Sequence, residues 1–255
     1  MPDTITLLGT PIAFDGALLF LWFIIFVAGI IRGFTGFGSA LIAVPTLAYL
    51  YGPAAAVVIE VLIEIPVVLY LLPAAIRAAH RPTILPMLAM FLLCVPLGAG
   101  LLTLIDPKPM KIALSLIVLI AVILLIKQSR LANLMTPRTT LLAGALAGTS
   151  QGLTAIASPI FAVAMIARND TATTTRANII LLAGALILLS LTSYIFLGLA
   201  TASVFAHALL AAPALILGVI TGTHLFKRFA HLNLRPVFLI LITAIALATL
   251  AQALT

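Results

Sequence analysis

Arg32-Gly33-Phe34-Thr35-Gly36-Phe37-Gly38-Ser39-Ala40-Leu41-Ile42-Ala43-Val44-Pro45 decides the fold of this 255-residue chain. The stretch lies within apolar sequence, yet it carries a charge, three glycines in six residues, two hydroxyls and a proline. Backbone facing lipid must satisfy its own hydrogen bonds, so such a break belongs where protein or water lines it. An arginine at membrane depth marks a functional site by default. The competing reading is a glycine-rich helix contact, with Arg32 snorkelling to an interface.

Composition sets the class. The chain is 64% hydrophobic and 7% charged, with a mean hydropathy of +1.34, whereas soluble domains carry about 25% charged residues. This is an all-α polytopic membrane protein whose first partner is the lipid bilayer. At about 20 residues per span, the length allows about eight crossings and no soluble domain. Met1 to Asp15 holds Asp3 and Asp15 but no lysine or arginine, so the basic region of a cleaved signal is missing and the first apolar run is expected to be retained. Cys94 is the lone cysteine, which rules out an intrachain disulfide and a cysteine metal site. The net charge of +7 would suggest nucleic acid in a soluble protein, but here the positive-inside rule accounts for it. Nucleic acid is therefore no partner, no cofactor is expected, and a homodimer is compatible with the sequence.

Apolar segments fall at 16–31, 39–51, 54–76, 83–104, 109–127, 139–152, 159–167, 177–197, 203–226 and 236–254. The runs 39–51 and 159–167 are too short to cross as ordinary helices. Each follows a break, Gly33–Gly38 or Gly148–Ser158, and each pair of segments is expected to form a helical hairpin that returns to the side it came from.

Loop charge supports this arrangement. Arg77, Arg81, Lys127, Arg130, Arg138, Arg168, Arg176, Lys227, Arg228 and Arg235 fall in one set of links, while 198–206 carries no charge and 105–111 sets Asp106 against Lys108 and Lys111. Placing the ten basic residues inside requires 16–51 to begin and end outside, and 139–167 to begin and end inside. The first repeat is then 16–127, with a hairpin at 16–51 and spans 54–76, 83–104 and 109–127. An inside linker, 128–138, leads to the second repeat at 139–254, with a hairpin at 139–167 and spans 177–197, 203–226 and 236–254. The two have opposite orientation, which is the inverted-topology repeat of many transporters, and both termini are expected outside. An ordinary eight-helix bundle would put either Arg77 and Arg81 or Lys227 and Arg228 on the wrong side. Gly144 with Gly148, and Gly218 with Gly222, have the spacing that lets helices approach closely. Pro66, Pro73 and Pro96 are expected to kink their spans.

The second helix of each hairpin starts inside the protein, with Ser39 and Ser158-Pro159 as expected caps. Helix N-termini expose free N–H groups and partial positive charge, which makes an anion site. Two such ends, together with Arg32, favour a small anion near the midplane. Gly36, Phe37, Gly38 and Ser39 from one tip, and Gly152, Ser158 and Pro159 from the other, are expected to surround it. Thr35, Ser150, Gln151 and Thr154 would supply neutral hydrogen bonds. Arg176 is either an inside anchor or a substrate contact, and Asn178 must face protein. Glu60 and Glu64 share one helix face and cost about 2.5–3.5 kcal/mol each near a helix centre. They are expected to serve as a proton-coupling site or as an ion pair with Arg32, with the deeper Glu64 the better candidate; the bland alternative is a pair facing the headgroups at the outer end, which suits Glu60. His80, His207, His224 and His231 lie at span ends or loops without ligand spacing, so no metal is expected.

Arg32 to Ser39 followed by Leu41-Ile42-Ala43-Val44-Pro45 resembles the first-repeat motif of the TauE/SafE sulfite exporter family. Ser158-Pro159 leading to Ala167-Arg168 is similar to that family's second-repeat motif, Arg176-Ala177-Asn178 to the opening of its following span, and Lys227-Arg228 also fits. The resemblance covers about residues 20–254. It implies a bacterial inner-membrane permease, with export of sulfite, sulfonates or related small anions. Two departures stand out: the second break has fewer glycines, and Glu60 and Glu64 replace small or apolar residues. The function expected is secondary transport of a small oxyanion. An undecaprenyl-pyrophosphate-phosphatase-like enzyme using Glu60 and Glu64 is the alternative from another class, although its serine- and arginine-rich loop is missing. An anion channel would differ only in lacking alternating access.

Overall fold

The computed structural model describes residues 4–132, 136–166 and 170–229, together with single positions beyond 239. The chain opens with a two-stranded antiparallel hairpin, β1 (Thr4–Leu7) and β2 (Thr10–Ala13), paired with Leu7 opposite Thr10. Leu8 and Gly9 both have positive φ, 49° and 76°, which is the requirement of a two-residue type I′ turn. Leucine carries none of the asparagine or aspartate signal for such a turn, and the sequence reading places no element here.

Nine helices follow among the described residues: α1 (Gly16–Thr35), α2 (Ala40–Tyr51), α3 (Pro53–Ala78), α4 (Arg81–Leu104), α5 (Pro107–Ala132), α6 (Pro137–Thr154), α7 (Ser158–Ile166), α8 (Ala172–Phe196) and α9 (Ala202–Phe229). Six of them contain membrane-length apolar windows: α1, α3, α4, α5, α8 and α9. At 1.5 Å per residue, α2 extends about 18 Å and α7 about 14 Å, so neither reaches across. The protein is an all-α polytopic membrane protein. Most of the expected span 236–254, the C-terminal side assignment, Arg168, His231 and Arg235 lie outside the described residues.

Local chemistry sets the ends of the hairpin helices. The Asp15 carboxylate caps α1, accepting from Ala17 N and Leu18 N at 3.1 Å each. Gly36 closes α1 in the left-handed region at φ 87°, where a side chain is unfavourable. Thr136 and Thr139 form a reciprocal capping box on α6, with Pro137 at the first helical position. The far end of α6 is capped by Ala155 at φ 57°. An alanine thus does at the second break what glycine does at the first. Helices α3 and α4 run on through Pro66, Pro73 and Pro96.

Packing pairs the elements across the two halves. α1 lies along α9, α4 along α6, and α3 against α8, while α3 also meets α9 and α4 meets α8. Exchanging α1 with α6, α3 with α8 and α4 with α9 maps these pairings onto one another. Glycines set the closest approaches. A methyl group on Gly222 would collide with the Ile30 backbone, and one on Gly152 with the Val95 carbonyl. Large apolar side chains such as Phe23, Leu93, Ile123 and Leu217 point outward, as a lipid-facing surface requires.

Candidate functional site

The two breaks meet at one small buried cavity. Its wall takes Gly38, Ser39 and Ala40 from the first hairpin, and Gln151, Ala155 and Ser158 from the second. Arg32 on α1, Glu60 and Glu64 on α3, and Ala183, Leu186 and Ile187 on α8 complete most of the remainder. The space open to the centre of a water molecule is about 30 Å³, enough for a water or two. Both short helices therefore begin at the same cavity. Leu41 N, Ile42 N and Ala43 N bond to the Gly38 and Ser39 carbonyls, Ile160 N and Phe161 N bond to that of Ala157, and Pro159 has no N–H. What the two starts turn toward the cavity is therefore the positive end of their helix dipoles, a setting that an anion prefers.

Arg32 is held on two sides. Its Nε stands 3.1 Å from both carboxylate oxygens of Glu64, and its Nη1 donates to the Gly36 carbonyl one turn on. Arg32 and Glu64 are each 5% exposed, so this is a buried ion pair. These bonds use two of the five guanidinium donors. The Ser39 hydroxyl donates to Glu64 Oε1, which draws it away from capping α2, and Ser39 makes no side-chain cap bond there. The carboxylate thus ties the end of α1 to the start of α2 across the break.

Glu60, one turn before Glu64, is 1% exposed, and both of its carboxyl oxygens lack a hydrogen-bond partner. An unpartnered buried carboxyl is costly and calls for an explanation.

The second break is built from hydroxyls. Thr154 Oγ1 donates to the Ser150 carbonyl at 2.7 Å, and Ser150 Oγ donates to the Ile156 carbonyl. The Ala157 carbonyl accepts from Phe161 N at 3.4 Å. The first helical bond of α7 therefore falls at Ala157, one residue before the serine expected to cap it. Tyr194 on α8, fully buried, places its hydroxyl 3.1 Å from the Gln151 carbonyl and 2.9 Å from that of Gly152, donating into the end of α6. Tyr194 is absent from the sequence reading, although a tyrosine deep in an apolar span needs a partner for its hydroxyl.

The chain matches the sequence model of the family described as Sulfite exporter TauE/SafE over residues 21–249. It belongs to the TauE/SafE sulfite exporter family. No curated protein and no solved structure matches it.

In this TauE/SafE member the expected site residues divide into groups. Arg32, Gly38, Ser39, Gln151 and Ser158 share the central cavity with Glu60 and Glu64. Gly36 and Phe37 sit in the first break beside it, and the Thr35 side chain lies outside the described set. Ser150 and Thr154 brace the second break from within. Gly152 serves the contact with α4, and Pro159 faces an apolar groove between α5, α6 and α7. Asn178 is fully buried and accepts from His80 N at 2.9 Å, which joins α8 to the start of α4.

Arg176 belongs to a second, larger cavity of about 480 Å³ between α1, α3, α8 and α9. Arg32 and Gly36 form part of its wall, as do Thr223 and His224. Arg32 thus contributes to both cavities. Among the described residues, no group of three or more histidine, cysteine or acidic side chains could hold a metal ion.

Proposed function

We propose that this protein is a secondary transporter that exports a small oxyanion, sulfite or an organosulfonate, across the inner membrane. The observation that carries the reading is the shared cavity, which takes the starts of α2 and α7 and the guanidinium of Arg32 into one wall. The positive dipole ends of two helices and a cation with unused donors suit an oxyanion with several acceptor oxygens. The larger cavity holding Arg176 and His224 supports an approach from the arginine-rich side, where positive charge concentrates anions.

The repeats 16–127 and 139–254, with the linker 128–138 inside, are the moving bodies in this account. The exchange symmetry of the helix pairings supports that division. At about 30 Å³ the central cavity is too small for sulfite, so an anion enters only when the two tips part. Rocking of one repeat against the other parts them alternately toward each side. An inside-negative potential favours expulsion of the anion.

The test is thermal stabilisation of purified protein across sulfite, sulfate, thiosulfate and methanesulfonate, followed by flux through liposomes for each anion that stabilises. Stabilisation and saturable flux by sulfite or a sulfonate are expected. Binding of none of these anions would overturn the reading.

A further inference from the structure

We infer that Glu60 is a proton-binding site whose occupancy is coupled to the anion, so that one proton travels with each anion. The inference rests on the transport reading above and adds a second transported species to it.

The charges within the central cavity do not balance when both glutamates are ionised. Among the described residues, Arg32 is the only cation in its wall, and its charge is already matched by Glu64 at 3.1 Å. The remaining titratable group among the described lining residues is Glu60. Its two oxygens have no hydrogen-bond partner, although the side chain is 1% exposed. The other polar groups facing it are neutral: Ser39 at the start of α2, Gln151 on α6 and Ser158 at the start of α7. From α8 the described lining residues are Ala183, Leu186 and Ile187, all apolar.

With Glu60 ionised, the cavity holds two carboxylates and one guanidinium and repels an anion. With Glu60 protonated, the ion pair cancels, and the helix ends together with the free guanidinium donors set the sign of the field. Like charges that share one cavity disfavour one another strongly in a low-dielectric site. Anion and proton therefore bind together.

The step forms one O–H bond on a Glu60 carboxyl oxygen. The proton comes from hydronium on the side where the anion enters, and it returns to water on the side of release. A monovalent sulfonate with its proton moves no net charge. Dianionic sulfite with its proton leaves as a single negative charge, which an inside-negative potential still drives outward.

The probe is methanesulfonate, whose charge is constant across the accessible pH range, and the protein is the full chain, as wild type and Glu60→Gln. Binding to the wild type in weakly buffered solution should take up close to one proton per anion, and its affinity should fall about tenfold per pH unit on the alkaline side. Glu60→Gln, which has the shape of the protonated form, should bind with no proton uptake and a flat pH profile. In liposomes, methanesulfonate flux should carry protons, read by an internal pH dye, in the wild type only.

Sulfite is run in parallel, so that a site selective for sulfite still reports. Anion flux without proton movement in the wild type would overturn the inference and leave the transporter intact. Binding and flux absent for both anions in both proteins would overturn the transporter and the inference with it.

Discussion

Arg32 and Glu64 form a side-on pair, with Nε of the arginine equidistant at 3.1 Å from both oxygens of the carboxylate. The pair joins the last turn of α1 to the middle of α3, and Ser39 adds the start of α2 to the same carboxylate. Breaking a buried pair from one side leaves the other charge uncompensated. Glu64→Ala should therefore destabilise by about 3–5 kcal/mol, seen as a fall in the melting temperature of detergent-purified protein. Arg32→Gln combined with Glu64→Gln should recover most of that loss, because no charge is then stranded.

Tyr194 holds the end of α6 through two carbonyls. Tyr194→Phe keeps the ring packing and removes the donor. The expected cost is about 1–2 kcal/mol, measured by thermal unfolding, together with a loss of anion-induced stabilisation as the second tip loosens.

The close approach of α1 and α9 leaves no space for a side chain at Gly222. Gly222→Leu should lower the yield of folded protein sharply, whereas Gly100→Leu, on open surface, should fold normally. Size-exclusion profiles of the two variants test this.

The caps of the two breaks differ in kind. Gly36 sits at φ 87° and Ala155 at φ 57°. Gly36→Ala should cost about 1–2 kcal/mol from left-handed strain. Ala155→Gly relieves the same strain and should raise the melting temperature.

Among the described residues, the helices and the breaks between them were legible in the sequence, because apolar runs and polar interruptions are separated along the chain. The two glutamates on one face, with an arginine at comparable depth, also pointed to an ion pair. Depth along the span favoured Glu64 over Glu60 as the functional carboxylate, and it is Glu64 that takes Arg32. That Glu60 is buried as well was not legible, since a position one turn nearer the helix end reads equally as headgroup-facing.

Other parts of the site left little trace. Tyr194 acts through backbone carbonyls more than forty residues away, and Asn178 through the backbone of His80. Backbone partners carry no residue identity. Ser39 has the composition of a helix cap, but a buried carboxylate competes for its hydroxyl and wins. Ala155 gives no left-handed signal at all. Its conformation is imposed by Thr154, Ser150 and the α6–α8 contacts around it.

The account's central claim is that the guanidinium of Arg32 contacts the transported anion where the hairpin tips meet. Methanesulfonate and sulfite flux through liposomes containing the Arg32→Gln, Glu64→Gln double variant tests it most directly, since that variant removes the cation without stranding a buried charge. The account predicts a folded protein whose flux falls by about ten- to a hundredfold, the worth of about 1.5–3 kcal/mol for a hydrogen bond to a charged group. Flux at the wild-type rate would contradict it.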